Sequence, residues 1–167
     1  MRQLKDHTTH RKLDSIDLHI LSILQANGRI ANVDLARQVH LSPSPCLARV
    51  KALEREGFIS RYVALLEPKA IGLGVEAFIQ IRLEKQVQTA FGLFEKAVAL
   101  RPEVLQCCLI AGTADFLIRV IVPDLDAFQV FHTEYLSKIP GVANTQSSIV
   151  LRQVKSVTEL PVPPEET

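Results

Sequence analysis

The chain has 167 residues, 47 % of them apolar and 22 % charged, which excludes a disordered, fibrous or membrane-embedded protein and allows one medium domain or two small ones. The net charge of +1 conceals an asymmetry: residues 1–66 carry 10 Lys+Arg against 6 Asp+Glu, net +4, and residues 67–167 carry 9 against 12, net −3. A basic first part and a mildly acidic second part confine nucleic-acid contact to the first.

Taken in order, residues 1–12 are polar, end on Arg11-Lys12 and read as a flexible arm. Leu13 to Gln25 is a helix capped by Asp14 or Ser15, with Ile16, Ile20, Leu21, Ile23 and Leu24 inward and Asn27-Gly28 as its stop. Asn32 to Val39 is a second helix, capped by Asn32, with Val33, Leu35, Ala36 and Val39 inward. His40-Leu41 is a tight turn into a third. That helix has a marked start: Ser42, whose hydroxyl can cap, Pro43 at the first position and Pro45 still within the first turn. Gly57 suits the left-handed residue that closes it.

At 100° per residue, Cys46, Val50 and Leu53 of the third helix stack on one side, with Leu47 at the edge. Ser44, Pro45, Ala48, Ala52 and Arg55 lie opposite, and Arg49 and Lys51 fall on the two flanks. Small residues let a helix sink into the major groove of double-stranded DNA, where arginine and lysine meet phosphate or guanine. A solvated amphipathic helix would look similar by itself. The close coupling to a preceding helix favours a helix-turn-helix over residues 13–60, with Phe58-Ile59 as a small wing or strand. On this reading Ser42, Ser44, Pro45, Ala48, Arg49, Lys51, Ala52 and Arg55 form the DNA-binding face.

Arg61 to Leu66 is strand-like and opens a linker over 61–73. From Gly74 the period becomes 2: Ala77, Ile79, Ile81 and Leu83 alternate with Phe78, Gln80 and Arg82. A helix follows over Gln88–Leu100, with Ala90, Phe91, Phe94, Ala97 and Val98 on one side. Strands at Val104–Ala111 and Phe116–Val122 flank a turn at Gly112–Asp115, the second apolar on both faces apart from Arg119 and therefore central. Pro123-Asp124 starts a helix through Lys138, with Leu125, Phe128, Phe131, Leu136 and Ile139 inward, and Pro140-Gly141 turns into a last strand from Val142 to Val154. The order βαββαβ over residues 74–154 predicts an α+β, ferredoxin-like split βαβ domain. Its second sheet face keeps apolar side chains and predicts self-association. Residues 155–167, rich in proline and glutamate, form an extended tail.

Cys46, Cys107 and Cys108 make no C-x-x-C pair, their odd number is unlike a disulfide framework, and Cys46 reads as a buried thiol. The N-terminus has no apolar signal core and no apolar run approaches a membrane span, so a cytoplasmic protein with no membrane partner is expected. An enzyme on the same scaffold would need a nucleophile–base pair or a metal cluster. The histidines (His7, His10, His19, His40, His132) are scattered and lack ligand spacing; His132 reads as a surface residue, and no enzyme activity, metal or cofactor is expected.

With Leu41-Ser42-Pro43-Ser44-Pro45-Cys46, Arg49-Val50, Leu53-Glu54-Arg55, Gly57-Phe58-Ile59, Gly112-x-x-Asp115 and Pro140-Gly141-Val142 ahead of and within a βαββαβ domain, the chain resembles the Lrp/AsnC (feast/famine) transcriptional regulators from about Leu13 to Val154. The resemblance implies a winged helix-turn-helix followed by an amino-acid-sensing (RAM) domain, in a bacterial, nucleoid-associated regulator. It further implies sheets paired back to back into homodimers, dimers assembled into octamers, and a free amino acid bound between dimers. The effector would lie near Gly112, Thr113 and Asp115 and the last strand at Ser148, Ile149 and Val150. Asp115 suits an α-ammonium and Gly112 lets backbone approach an α-carboxylate, though without the resemblance Asp115 reads as an ordinary turn residue.

Two departures narrow this. The family often carries Gly-Asp-x-Asp where this chain has Gly112-Thr113-Ala114-Asp115, which argues against a cationic effector. Leu109, Leu125, Ile149 and Val150 around it suggest L-leucine, L-methionine or another apolar or branched-chain amino acid. Ala48 and Ala52 replace larger polar residues common on the recognition helix, so no operator sequence carries over. A DNA-architectural protein of this fold without an effector is the rival reading.

Overall fold

The structure, a computed structural model, describes residues 11–162, which divide into two units, residues 66–154 and residues 11–65 with 155–162. The arm expected at 1–12 thus lies mostly outside the described residues.

The first unit is the three-helix part. Helix α1 runs Ser15–Ala26 and is capped by Asp14, whose carboxylate accepts from the Asp17 amide at 2.8 Å. Helix α2 is short, Asn32–Gln38, and α3 spans Pro43–Arg55. Both α2 and α3 end in the same way: a left-handed residue, His40 (φ 54°) or Gly57 (φ 83°), lets the next residue reach back, Leu41 N–H to Ala36 O at 2.8 Å and Phe58 N–H to Leu53 O at 3.0 Å. The core is Ile20, Leu35, Ala36, Val39, Cys46 and Leu53, so the predicted apolar stripes and the buried thiol hold.

Several local expectations differ. Val33 is 55 % exposed: a seven-residue helix buries a narrow stripe, and Leu35, Ala36 and Val39 fill it. The α2 cap position is Ala31, and Asn32 instead donates from its side chain to Pro43 O at 2.9 Å, tying the start of α2 to the start of α3. Ser42 occupies the α3 cap position without a side-chain cap bond; its carbonyl accepts from Cys46 N–H at 3.2 Å. Phe58 and Ile59 form a bend, and Arg61–Leu66 is not a strand, because a strand needs a partner and none pairs with it among the described residues.

The second unit carries an antiparallel sheet of β1 (Val75–Leu83), β2 (Val104–Leu109), β3 (Phe116–Val122) and β4 (Val142–Ile149) in the order β2-β3-β1-β4. Helix α4 (Gln88–Ala99) follows β1 and helix α5 (Leu125–Val130) follows β3, so the βαββαβ order stands and β3 is central. The alternation in β1 buries Ala77, Ile79, Ile81 and Leu83 against Phe94, Val98, Phe131 and Leu136, with the Phe94 and Phe116 rings 4.7 Å apart. Phe78, Leu117 and Ile121 share the other face, although Ile121 is buried.

The long predicted helix breaks after α5 into a π-helical turn, Phe131–Tyr135, and a 3-10 turn, Leu136–Lys138. Phe131, Leu136 and Ile139 still face inward, whereas Leu125, the first residue of α5 and about 120° round the helix from Phe131, is 58 % exposed. His132 is half-buried and within 2.9 Å of the Thr145 hydroxyl. Strand β4 stops at Ile149, where Ala77 is its last partner on β1; Val150 N–H still reaches Glu76 O, and residues 151–154 run free of the sheet.

Candidate DNA interface and effector site

The candidate interface is the outward side of α3. Ser42, Ser44, Pro45, Ala48, Lys51 and Arg55 are exposed and Ala52 is half-buried, so seven of the eight predicted residues present one small, basic surface. The acids nearby are occupied. Glu54 accepts from the Tyr62 hydroxyl at 3.0 Å, and Glu56 accepts from Arg11 Nε at 2.8 Å. Burial, reinforced by Glu54, raises the Tyr62 phenol to about 12.

Arg49 is the exception. Its Nη1 donates to Asp14 at 2.6 Å and to Asp17 at 2.9 Å, turning the guanidinium toward α1. Asp17 is wholly buried and also accepts from Arg11 at 2.6 Å. Arg11, expected in the loose arm, is therefore tied to α1 and to the end of α3. The sequence carried a signal for this: Asp17 sits between Ile16 and Ile20 on the buried side of α1, and a buried carboxylate requires cationic partners.

In the second unit, Asp115 lies beneath the 112–115 turn, buried, with both carboxylate oxygens engaged: one by Leu83 N–H at 2.7 Å, the other by the Gln86 side chain at 2.8 Å. Gln86 was not anticipated. Gly112 has φ 147°, a conformation that side chains rarely adopt, and it and Thr113 are exposed at the top of the turn. The predicted effector residues fall into two groups. Leu109, Gly112, Thr113 and Asp115 gather where β3 begins beside Ile81, whereas Leu125, Ser148, Ile149 and Val150 lie at the other end of the sheet, beside Val75–Phe78. At ~3.3 Å per strand residue the groups are roughly 15–20 Å apart, so one chain does not bring them around one small molecule. A cleft of about 330 Å³ between α4 and β2 includes Leu109 but none of the other seven.

Among the described residues, no group of three or more His, Cys, Asp or Glu is placed to hold a metal, and no helix is long and apolar enough to cross a membrane.

Residues 13–60 match the model of a winged helix-turn-helix DNA-binding domain, and residues 76–160 match the Lrp/AsnC ligand binding domain. Leucine-responsive regulatory proteins of Klebsiella pneumoniae and Escherichia coli are 41 % identical to the chain over 150 residues, spanning 90 % of it and 92 % of each relative. A transcriptional regulator from Neisseria meningitidis, solved as a complex with L-Met, superposes with a TM-score of 0.87 at 42 % identity, covering 90 % of this chain and 97 % of that one. Escherichia coli AsnC superposes with a TM-score of 0.82 at 26 % identity, covering 89 % and 98 %. With a DNA-binding helix-turn-helix at one end, a ligand-binding ferredoxin-like domain at the other and relatives that are regulators and not enzymes, the chain belongs to the Lrp/AsnC family of transcriptional regulators.

Proposed function

We propose that this regulator responds to a free apolar amino acid, L-methionine or L-leucine, bound between dimers of an oligomer in the cytoplasm. The observation that carries the choice is the 112–115 turn: it holds one carboxylate, Asp115, which is buried and engaged from below by Leu83 and Gln86, leaving no exposed acid in the turn for a cationic side chain. The exposed Leu109, Leu125 and Ile149 offer apolar surface instead. Gly112 and Thr113 would meet the α-carboxylate through backbone, and Asp115 would supply the negative field that favours the α-ammonium. The L-Met complex of the Neisseria relative and the leucine-responsive relatives support the same class of ligand.

The separation of the two predicted groups favours a site completed by a second copy, with Leu109, Gly112, Thr113 and Asp115 from one chain and Leu125, Ser148, Ile149 and Val150 from another. An octamer built from dimers would juxtapose them. On DNA, Ser42, Ser44, Pro45, Ala48 and Ala52 would approach base edges, and Lys51 and Arg55 would meet phosphate.

Thermal unfolding of the purified protein with and without each amino acid tests the effector. A ligand that binds the native state raises the midpoint by mass action, so L-methionine or L-leucine should raise it and L-lysine should not. Stabilisation by L-lysine alone, or by no amino acid, would contradict the reading.

A further inference from the structure

Five charged groups form one chain beneath the recognition helix: Asp14, Arg49, Asp17, Arg11 and Glu56. Arg49 bridges Asp14 and Asp17 from the side of α3; Arg11 takes the second oxygen of Asp17 and, through Nε, the carboxylate of Glu56, the residue that caps the end of α3. The helix is thus held to α1 in two places, near its middle by Arg49 and at its end through Glu56. Asp17 is the hub, fully buried between two guanidinium groups. For Arg49 to reach a phosphate it would have to leave that carboxylate with a single partner in a desolvated site, the costly half of breaking a buried pair. Its charge is also cancelled locally by two carboxylates, so DNA would meet little positive potential there. Lys51 and Arg55 differ: both are exposed on the outer side of α3, and Arg55 makes one long contact, 3.4 Å, with Glu56.

We propose that Arg49 is a positioning residue, which sets the pose of the recognition helix through Asp14 and Asp17, and that Arg11 is the second clamp of the same device. This rests on the family's DNA binding and is independent of the effector.

The test is fluorescence anisotropy of the full chain on a labelled duplex from the region upstream of its own coding sequence, across a salt series, with circular dichroism melts alongside. Each phosphate neutralised contributes ~0.9 to the slope of log affinity against log salt. Lys51→Gln is the reference for a phosphate contact and should lower the slope by about that amount. Arg49→Gln should weaken binding about tenfold or more at every salt concentration and leave the slope as in the parent chain. Arg49→Lys, which keeps the charge but not the two-carboxylate geometry, should not rescue. The deciding variant is Asp14→Asn. Asparagine still caps a helix, and Asp14 is half-exposed, so α1 keeps its cap while Arg49 loses a partner. A positioning role predicts weaker DNA binding by Asp14→Asn. A DNA-contact role predicts unchanged or tighter binding, because the arginine is released, together with a slope loss of ~0.9 for Arg49→Gln and rescue by Arg49→Lys; any of these results overturns the proposal.

Discussion

Asp14 does two jobs, capping α1 and holding Arg49, and its protonation follows from both. Burial pushes its carboxyl up, but the Asp17 amide and the Arg49 guanidinium outweigh that and hold it below the ordinary value of 3.8. A carboxyl with a depressed folded value contributes stability above its unfolded value and loses it as the pH falls through the folded one. The helical unit should therefore unfold at progressively lower temperature as the pH drops from about 4, and Asp14→Asn should remove part of that dependence; circular dichroism melts across the acid range check it. Cys46 is fully buried in the helical core, where burial raises its thiol. Cys46→Ser should cost about 1–3 kcal/mol in urea unfolding, because a hydroxyl without a partner replaces a small apolar group, whereas Cys46→Ala should cost less.

Among the elements, α3 depends on how it ends. Gly57 sits at φ 83° in the position that lets Phe58 bond back to Leu53, and a β-carbon there is strained. Gly57→Ala should destabilise the helical unit by about 1–2 kcal/mol, read from the shift of its melting transition. The same ending shows what was legible in the chain: Gly57, Pro43 and the Cys46/Val50/Leu53 spacing are local signals, and α3 begins and ends within a residue of where they place it. The alternation in β1 is equally local and equally reliable. Features that depend on distant partners were not legible. A flank position on α3 does not reveal which way Arg49 turns, since Asp17, 32 residues earlier, decides it. Arg61–Leu66 has strand-like residues but no strand paired with it among the described residues, and Leu125, at the start of α5 and about 120° round a regular helix from Phe131, faces solvent. Of the candidate effector residues, Gly112, Thr113 and Asp115 lie on the turn and Ser148 and Ile149 on the last strand, but the βαββαβ topology sets these two groups at opposite ends of the sheet, which a linear reading does not reveal.

For the whole molecule, copies of the chain are expected to cover what one copy leaves exposed. Phe78, 38 % exposed, lies on the sheet face away from the helices, and Tyr62, Val63, Leu65 and Leu66 line an extended exposed segment. Phe78→Glu should shift the protein toward smaller species in sedimentation velocity while leaving its circular dichroism spectrum unchanged; an unaltered sedimentation profile would argue against assembly through this face. Control of DNA binding by a free apolar amino acid is the role proposed for this regulator. It is tested most directly by anisotropy titration onto the duplex upstream of its own gene, with L-methionine, L-leucine or L-lysine present or absent. The expected result is salt-sensitive binding whose midpoint moves with methionine or leucine and not with lysine; a binding curve that no amino acid shifts would overturn the proposed role.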